Sequence, residues 1–200
     1  MRYRLMAILL ILLTCTIPVW AEEFLDKREF SITQAVDNFS LQSIKGDTFS
    51  LFDHSGEVVV FIFWSSNCPY IERYESRIRE LVNEYAGQKV SFFGIASSIT
   101  ETPQKIKQVA RERELDYDIL LDPDHIIANK FGAVTTPQVF IVDPFGELVY
   151  DGAIDDQGWE IENPVTQQYV KNAIEDLLSG KSVQREITSA FGCTIKRNLD

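Results

Sequence analysis

The sequence predicts an α/β domain: a mixed β-sheet with helices on both faces and a β-hairpin at its N-terminal end. Three observations carry that expectation. VVVFIFW, residues 58–64, is apolar at every position, as in a strand buried on both faces of a largely parallel sheet. Beyond it, apolar runs alternate with stretches whose apolar residues recur every three or four positions, the order of strands and covering helices. PQVFIVDPFGELVYDG then reads as an antiparallel hairpin turning at Asp143-Pro144-Phe145-Gly146, which makes the sheet mixed. With 200 residues, 45% hydrophobic and 24% charged, one domain with a real core is the expected organisation.

Each element follows from its own residues. Residues 1–21 carry Arg2 and Arg4, an apolar run from Leu5 to Leu13 and the small-residue pattern Val19-Trp20-Ala21, which together read as a secretory signal peptide. The run is shorter than the roughly 20 residues that span a bilayer, which argues against a membrane anchor. Cys15 follows Thr14 rather than the Gly, Ala or Ser expected before a lipid-modified cysteine. Residues 22–37 are a mixed, polar lead-in. From Asn38 the chain alternates on either side of Lys45-Gly46-Asp47, a hairpin, and turns again at Ser55-Gly56.

After VVVFIFW, Ile71, Tyr74, Ile78, Leu81, Val82 and Tyr85 line one face of a helix that starts at about Pro69. KVSFFGIAS is a second buried strand. TPQKIKQVARERE is a helix opened by Thr102 and Pro103, and YDILLDPDHIIANKFGA gives a short strand and a short helix closed by Gly132. The spacing of Val170, Ala173, Ile174, Leu177 and Leu178 predicts a last helix over about 164–178, closed by Gly180. The domain is thus expected over 38–180, and 181–200 is a tail carrying Cys193.

Charge narrows the partners. Of 19 basic and 30 acidic residues, loss of 1–21 removes Arg2 and Arg4 and no acid, leaving 17 and 30, a net charge of −13. Such a field repels nucleic acid and anionic lipid, so no nucleic-acid partner and no stable membrane insertion after signal cleavage are expected. Cys68 and Cys193 remain. In an exported protein a thiol pair is bridged, kept reduced for chemistry, or cycles between the two.

Cys68 stands between the end of a buried strand and a helix beginning at Pro69, a residue suited to the first helical position. Free N–H groups and the positive dipole end of a helix lower a thiol's pKa from about 8.5 into the range ~3.5–7.5 and so favour the nucleophilic thiolate. The competing reading is a small buried hydrophobe. FIFWSSNCPYIERY, with NCPY at 67–70, resembles the active-site segment of the thioredoxin-like superfamily, and TTPQVFIVDPFGELVYDG resembles its proline loop and terminal hairpin. Together with GCTIK at 192–196, the chain is similar to the peroxiredoxin-like redoxins, the alkyl hydroperoxide reductase and thiol-specific antioxidant grouping. Ile71 stands where thioredoxins carry the second cysteine of Cys-x-x-Cys, so no local dithiol forms.

The resemblance implies a thioredoxin-like fold and an exported thiol oxidoreductase, periplasmic or secreted. Cys68 would be its catalytic thiol, acting by thiol-disulfide exchange or peroxide reduction without a bound cofactor. Its partners would be oxidised protein thiols or small peroxides, and a thiol reductant. Thr136-Pro137 resembles the loop whose proline is cis, beside the active-site sulfur, where the preceding backbone pairs with an extended peptide. The substrate-binding set is Trp64, Pro69, Thr136 and Pro137, Trp64 serving as a shield for the thiol or simply as core.

A thiolate that attacks a disulfide or peroxide needs a second thiol to resolve the product, and Cys193 is the one available. A permanent Cys68–Cys193 bridge, or pairing of Cys193 with another chain, are the alternatives. The rival function is a redox-inert thioredoxin-fold binding or scaffold module with a structural Cys68–Cys193 disulfide. No metal is expected. His54 and His125 are far apart in sequence, Glu72 stands where thioredoxin-fold copper chaperones carry their second cysteine, and such metals want three or four convergent ligands. Asp155-Asp156, which resemble an acidic pair of the redoxins, read as solvated loop charges.

Overall fold

The computed structural model describes residues 29–159 and 164–197; the signal peptide expected over 1–21 lies outside them. Its main sheet has seven strands in the order β2-β1-β5-β4-β3-β7-β8: β1 (Ser40–Ser43), β2 (Thr48–Ser50), β3 (Val58–Trp64), β4 (Val90–Ala96), β5 (Asp118–Leu121), β7 (Gln138–Val142) and β8 (Leu148–Gly152). β3 runs parallel to β4 and β4 to β5, whereas β7, β8 and the β1–β2 hairpin join antiparallel. The sheet is therefore mixed, as the sequence pattern predicts. The helices are α1 (Pro69–Glu84), α2 (Pro103–Glu112), α3 (Ile126–Phe131) and α4 (Tyr169–Leu178).

β3 explains why two layers form. Successive side chains of a strand point to opposite faces, and in β3 both sets are apolar. Val58, Val60, Ile62 and Trp64 join one core with Ile71, Tyr74 and Ile78 of α1, Ile106 and Val109 of α2, and Val170 and Ile174 of α4. Val59, Phe61 and Phe63 face a second core with Ile127 and Phe131 of α3. That second core is largely aromatic: the Phe131 ring centroid lies 5.0 Å from those of both Phe30 and Phe140. Such pairs add about 0.5–1.5 kcal/mol beyond their burial.

Caps fix where the helices start. Thr102 Oγ1 accepts the Lys105 N–H at 3.2 Å and Pro103 opens α2. Asp122 does the same for α3 from outside it, accepting the N–H groups of Ile127 at 3.1 Å and Ala128 at 2.9 Å.

Three segments depart from the sequence expectation. The last helix starts at Tyr169 rather than near 164. Before it, Asp156 takes the backbone N–H and hydroxyl of Thr166 and donates its own N–H to Gln167 O, so the would-be first turn is held extended. The part of the lead-in from residue 29 is anchored, with Phe30 and Val36 buried. Two strands of two residues, β6 (Thr135–Thr136) and β9 (Cys193–Thr194), pair antiparallel as a separate small sheet. They are too short for any alternation to announce them. Among the described residues, no helix is long and apolar enough to cross a membrane.

Candidate active site

β3 ends at Trp64 and α1 begins at Pro69, so the four residues Ser65–Cys68 between them must reverse the chain in one turn. Ser65 O accepts the Cys68 N–H at 3.4 Å and Ser65 Oγ accepts that of Asn67 at 3.3 Å. Ser66 is gripped at both ends of its backbone: its N–H donates to the Glu101 carboxylate at 2.5 Å and its carbonyl accepts from Arg113 at 3.4 Å. The Arg113 guanidinium is held in turn by Glu72 at 3.6 Å and Glu75 at 3.5 Å. Cys68 is the N-cap residue of α1 with extended backbone (φ −92°, ψ 114°), and Pro69 occupies the first turn, as the sequence predicts.

The Thr136–Pro137 bond is cis. Its loop is fixed by the buried Gln138, which accepts the Val134 N–H at 2.9 Å and donates to Asp151 at 2.7 Å. This places the Thr136 carbonyl against the thiol, and Cys68 Sγ donates to it at 3.1 Å.

The tail closes the site. β9 lies on β6 with Thr135 opposite Thr194 and Thr136 opposite Cys193. The Cys193 carbonyl accepts the hydroxyls of Thr135 at 3.1 Å and Thr136 at 3.4 Å, and the Ile195 N–H donates to Val134 O at 3.0 Å. Cys193 Sγ thereby comes to 2.7 Å from Cys68 Sγ, both cysteines being free thiols. Cys68 is 1% exposed. Just upstream, the Phe191 ring stands among Tyr70 (5.8 Å), Trp159 (5.3 Å) and Tyr74 (6.0 Å).

The sequence expects the free N–H groups of α1 to serve the Cys68 sulfur. Instead the Cys68 side chain makes no capping bond, and the Tyr70 N–H faces Cys193. The Cys193 thiol is pushed up to about 12, first by burial and then by the hydrogen bond and negative charge of the neighbouring Cys68 sulfur, with the Tyr70 N–H and Lys196 pulling weakly the other way.

Of the expected substrate-binding residues, Thr136 meets Cys68 through its carbonyl, Pro137 follows it across the cis bond, and Pro69 is exposed next to Cys68 in the chain. Trp64 is buried in the same core cluster as the thiol. Asp155 is not a solvated charge: at 3% exposure it accepts from Tyr74 Oη at 2.9 Å and Arg77 at 2.7 Å, locking the loop after β8 onto α1. Tyr74 is raised above the usual tyrosine range by burial and by that carboxylate. His54 pairs with Glu57 at 2.9 Å, and His125 precedes α3 in a left-handed conformation. Among the described residues, no group of three or more His, Cys, Asp and Glu could hold a metal ion.

The sequence model of the AhpC/TSA family matches residues 32–151, more than half of the chain and inclusive of Cys68 and the Thr136–Pro137 loop. The chain belongs to the AhpC/TSA family. Its similar relatives include the thiol-disulfide oxidoreductases ResA of Geobacillus thermodenitrificans (25% identical, covering 72% of this chain and 82% of the relative) and Geobacillus kaustophilus (27%, 71% and 81%). Among solved structures, an uncharacterized conserved protein of Geobacillus kaustophilus superposes with a TM-score of 0.79 at 27% identity, over 86% of this chain and 94% of that one. A hypothetical protein of Sinorhizobium meliloti 1021 gives 0.78 at 24%, over 86% and 97%, a likeness of fold. The AhpC/TSA match ends before the tail, so Cys193 is supplied from outside the matched region.

Sequence reasoning missed Glu101, Arg113, Tyr70, Trp159 and Phe191. Glu101 lies just before the helix read from TPQKIKQVARERE and Arg113 at its end, where nothing local says that they reach back to Ser66, and the three aromatics meet only through the fold. Gly192, directly before Cys193, was a readable sign of close backbone approach: a Cβ there would drive into the Thr136 carbonyl oxygen.

Because the Cys193 thiol is raised, its capture by iodoacetamide in the reduced protein should stay slow between about pH 7 and 10 and keep rising with pH throughout, without the levelling-off that an ordinary cysteine shows once it has ionised. Cys68→Ser removes the neighbouring charge and should speed capture across that window and move the levelling-off to lower pH, with burial still holding the midpoint above that of free cysteine. Peptide mass spectrometry reads both. A wild-type Cys193 profile like that of free cysteine contradicts this electrostatic reading.

Proposed function

We propose that the protein is an exported thiol-disulfide oxidoreductase in which Cys68 attacks a substrate disulfide and Cys193 resolves the product. The observation that carries this reading is the convergence of two free thiols, 125 residues apart in sequence, to 2.7 Å beside the Thr136 carbonyl. Only a small movement separates them from a bond of about 2.05 Å. The relatives named thiol-disulfide oxidoreductase support the same class. Among the described residues, no guanidinium donates to Cys68, so disulfide exchange is favoured over peroxide reduction.

The chemistry takes two displacements. Cys68 thiolate attacks one sulfur of R–S–S–R′, forming Cys68–S–S–R and releasing R′–S⁻, which takes up a proton. Cys193 then loses its proton and attacks Cys68 Sγ, forming the Cys68–Cys193 disulfide and releasing R–S⁻. Two electrons pass from the protein's thiols to the substrate, and an external thiol reductant restores them.

The electrostatics order these steps. While Cys68 is charged, Cys193 is held protonated and does not compete as nucleophile. Once Cys68 sits in a mixed disulfide, its charge is gone, two of the three causes that raise Cys193 are lifted, and the resolving thiol ionises more readily.

Trapping tests the reading. Incubated with a protein disulfide such as insulin, Cys193→Ser should accumulate an adduct on Cys68, seen by mass, and turn over poorly. Cys68→Ser should reduce the substrate no faster than buffer. Catalysis that survives Cys68→Ser would overturn the proposal. Export rests on residues 1–21: fused to alkaline phosphatase, which matures only outside the cytoplasm, residues 1–30 should give active reporter, and an inactive one removes export from the account.

A further inference from the structure

Resting on that reading, we propose that the substrate is an extended polypeptide strand that takes the tail's own place on β6. Its recognition features are then written in Phe191–Cys193: a cysteine preceded by glycine, with an aromatic residue one position further back.

The Cys68 sulfur has the core of β3 and α1 behind it and Cys193 in front. A second disulfide sulfur therefore reaches Cys68 by taking the position that Cys193 fills. What holds Cys193 there is mainly backbone. Thr135 and Thr136 give their hydroxyls to its carbonyl, Val134 O takes the Ile195 N–H, and the two strands pair residue for residue. Main-chain pairing of this kind is open to strands of many sequences and leaves selectivity to a few side-chain pockets.

Two such features are visible. Position 192 admits only glycine, because any Cβ would meet the Thr136 carbonyl. Position 191 enters an aromatic cup of Tyr70, Tyr74 and Trp159, and Trp159 remains 61% exposed. A pairing two residues long is marginal on its own, so an incoming strand can displace it.

The tail and the substrate strand thus compete for one slot. When the tail leaves, the substrate strand brings its disulfide sulfur to Cys68, the Cys68–S–S–R bond forms, and R′–S⁻ departs. As the R strand peels off, the tail returns and carries Cys193 to the same register position. There Cys193 closes the Cys68–Cys193 bond and expels R–S⁻. Product release and resolution are one strand exchange.

The probe is the peptide SAFGCTIKR, residues 189–197, its thiol capped with thionitrobenzoate, set against the same peptide with alanine for glycine. With the full-length reduced protein, the glycine peptide should release thionitrobenzoate through Cys68 at least about 10-fold faster. Equal rates, with Cys68 still modified by free dithiobis-nitrobenzoate, would overturn the shared slot while leaving disulfide exchange standing. If neither peptide nor the free reagent modifies Cys68, the exchange reading itself falls. In the protein, Gly192→Ala should unseat the tail and raise Cys68 alkylation by about 10-fold or more. The serine analogue SAFGSTIKR, added in trans, should restore protection. No restoration, or no rise in alkylation, counts against the proposal.

Discussion

Three atoms from distant parts of the chain meet at one point: the Cys68 sulfur, the Thr136 carbonyl oxygen and the Cys193 sulfur. Each is held by backbone geometry rather than by its own side chain. Cys68 is placed by the turn between β3 and α1, Thr136 by the cis bond and the Gln138 brace, and Cys193 by strand pairing. Sulfur is a weak hydrogen-bonding atom, so a site made of thiols depends on such positioning. The seven-stranded sheet supplies it, because β3 and β7 are neighbours and the Ser65–Cys68 turn and the proline loop emerge at the same end.

The polar residues around this point act on the frame. Glu101 and Arg113 grip the two ends of Ser66, and Asp155 ties the loop after β8 to Tyr74 and Arg77 of α1. Buried charge is costly unless paired, and here the Asp155 carboxylate meets a hydroxyl and a guanidinium, and that of Glu101 a backbone N–H. The turn that carries Cys68 is thereby kept from drifting. The thiols themselves lie in apolar surroundings, where the charge of one sulfur acts strongly on the other. Burial first, and that coupling added to it, is why Cys193 holds its proton beside Cys68.

Much of the frame was legible in the sequence, for physical reasons that apply residue by residue. VVVFIFW can only be a doubly buried strand, Pro69 and Pro103 mark first turns, and Gly132 closes α3 in the left-handed conformation that glycine accepts freely. Cys68 stood out because a strand-to-helix turn is a local pattern, whereas Thr136 and Pro137 were singled out by their resemblance to a known proline loop, and the structure brings the Thr136 carbonyl to the Cys68 sulfur. What was not legible is made by long-range pairing. The β6–β9 contact joins residues 57 and 59 apart in sequence through two residues each, and no periodicity records it. The late start of α4 depends on Asp156 capturing Thr166, and the buried Asp155 on a hydroxyl and a guanidinium 81 and 78 positions away. A local reading assigns such aspartates to solvent.

The central claim is that Cys68 and Cys193 form one reversible two-electron couple. Its most direct measurement is a titration of the full-length protein in dithiothreitol buffers of graded oxidation, quenched with acid and read by mass after alkylation. The account predicts a single transition in which both cysteines pass together from alkylated to bridged, lost entirely in Cys68→Ser and in Cys193→Ser. A bridge that persists in every buffer would mark a structural disulfide, and cysteines that stay alkylated throughout would mark thiols that never join; either result contradicts the account.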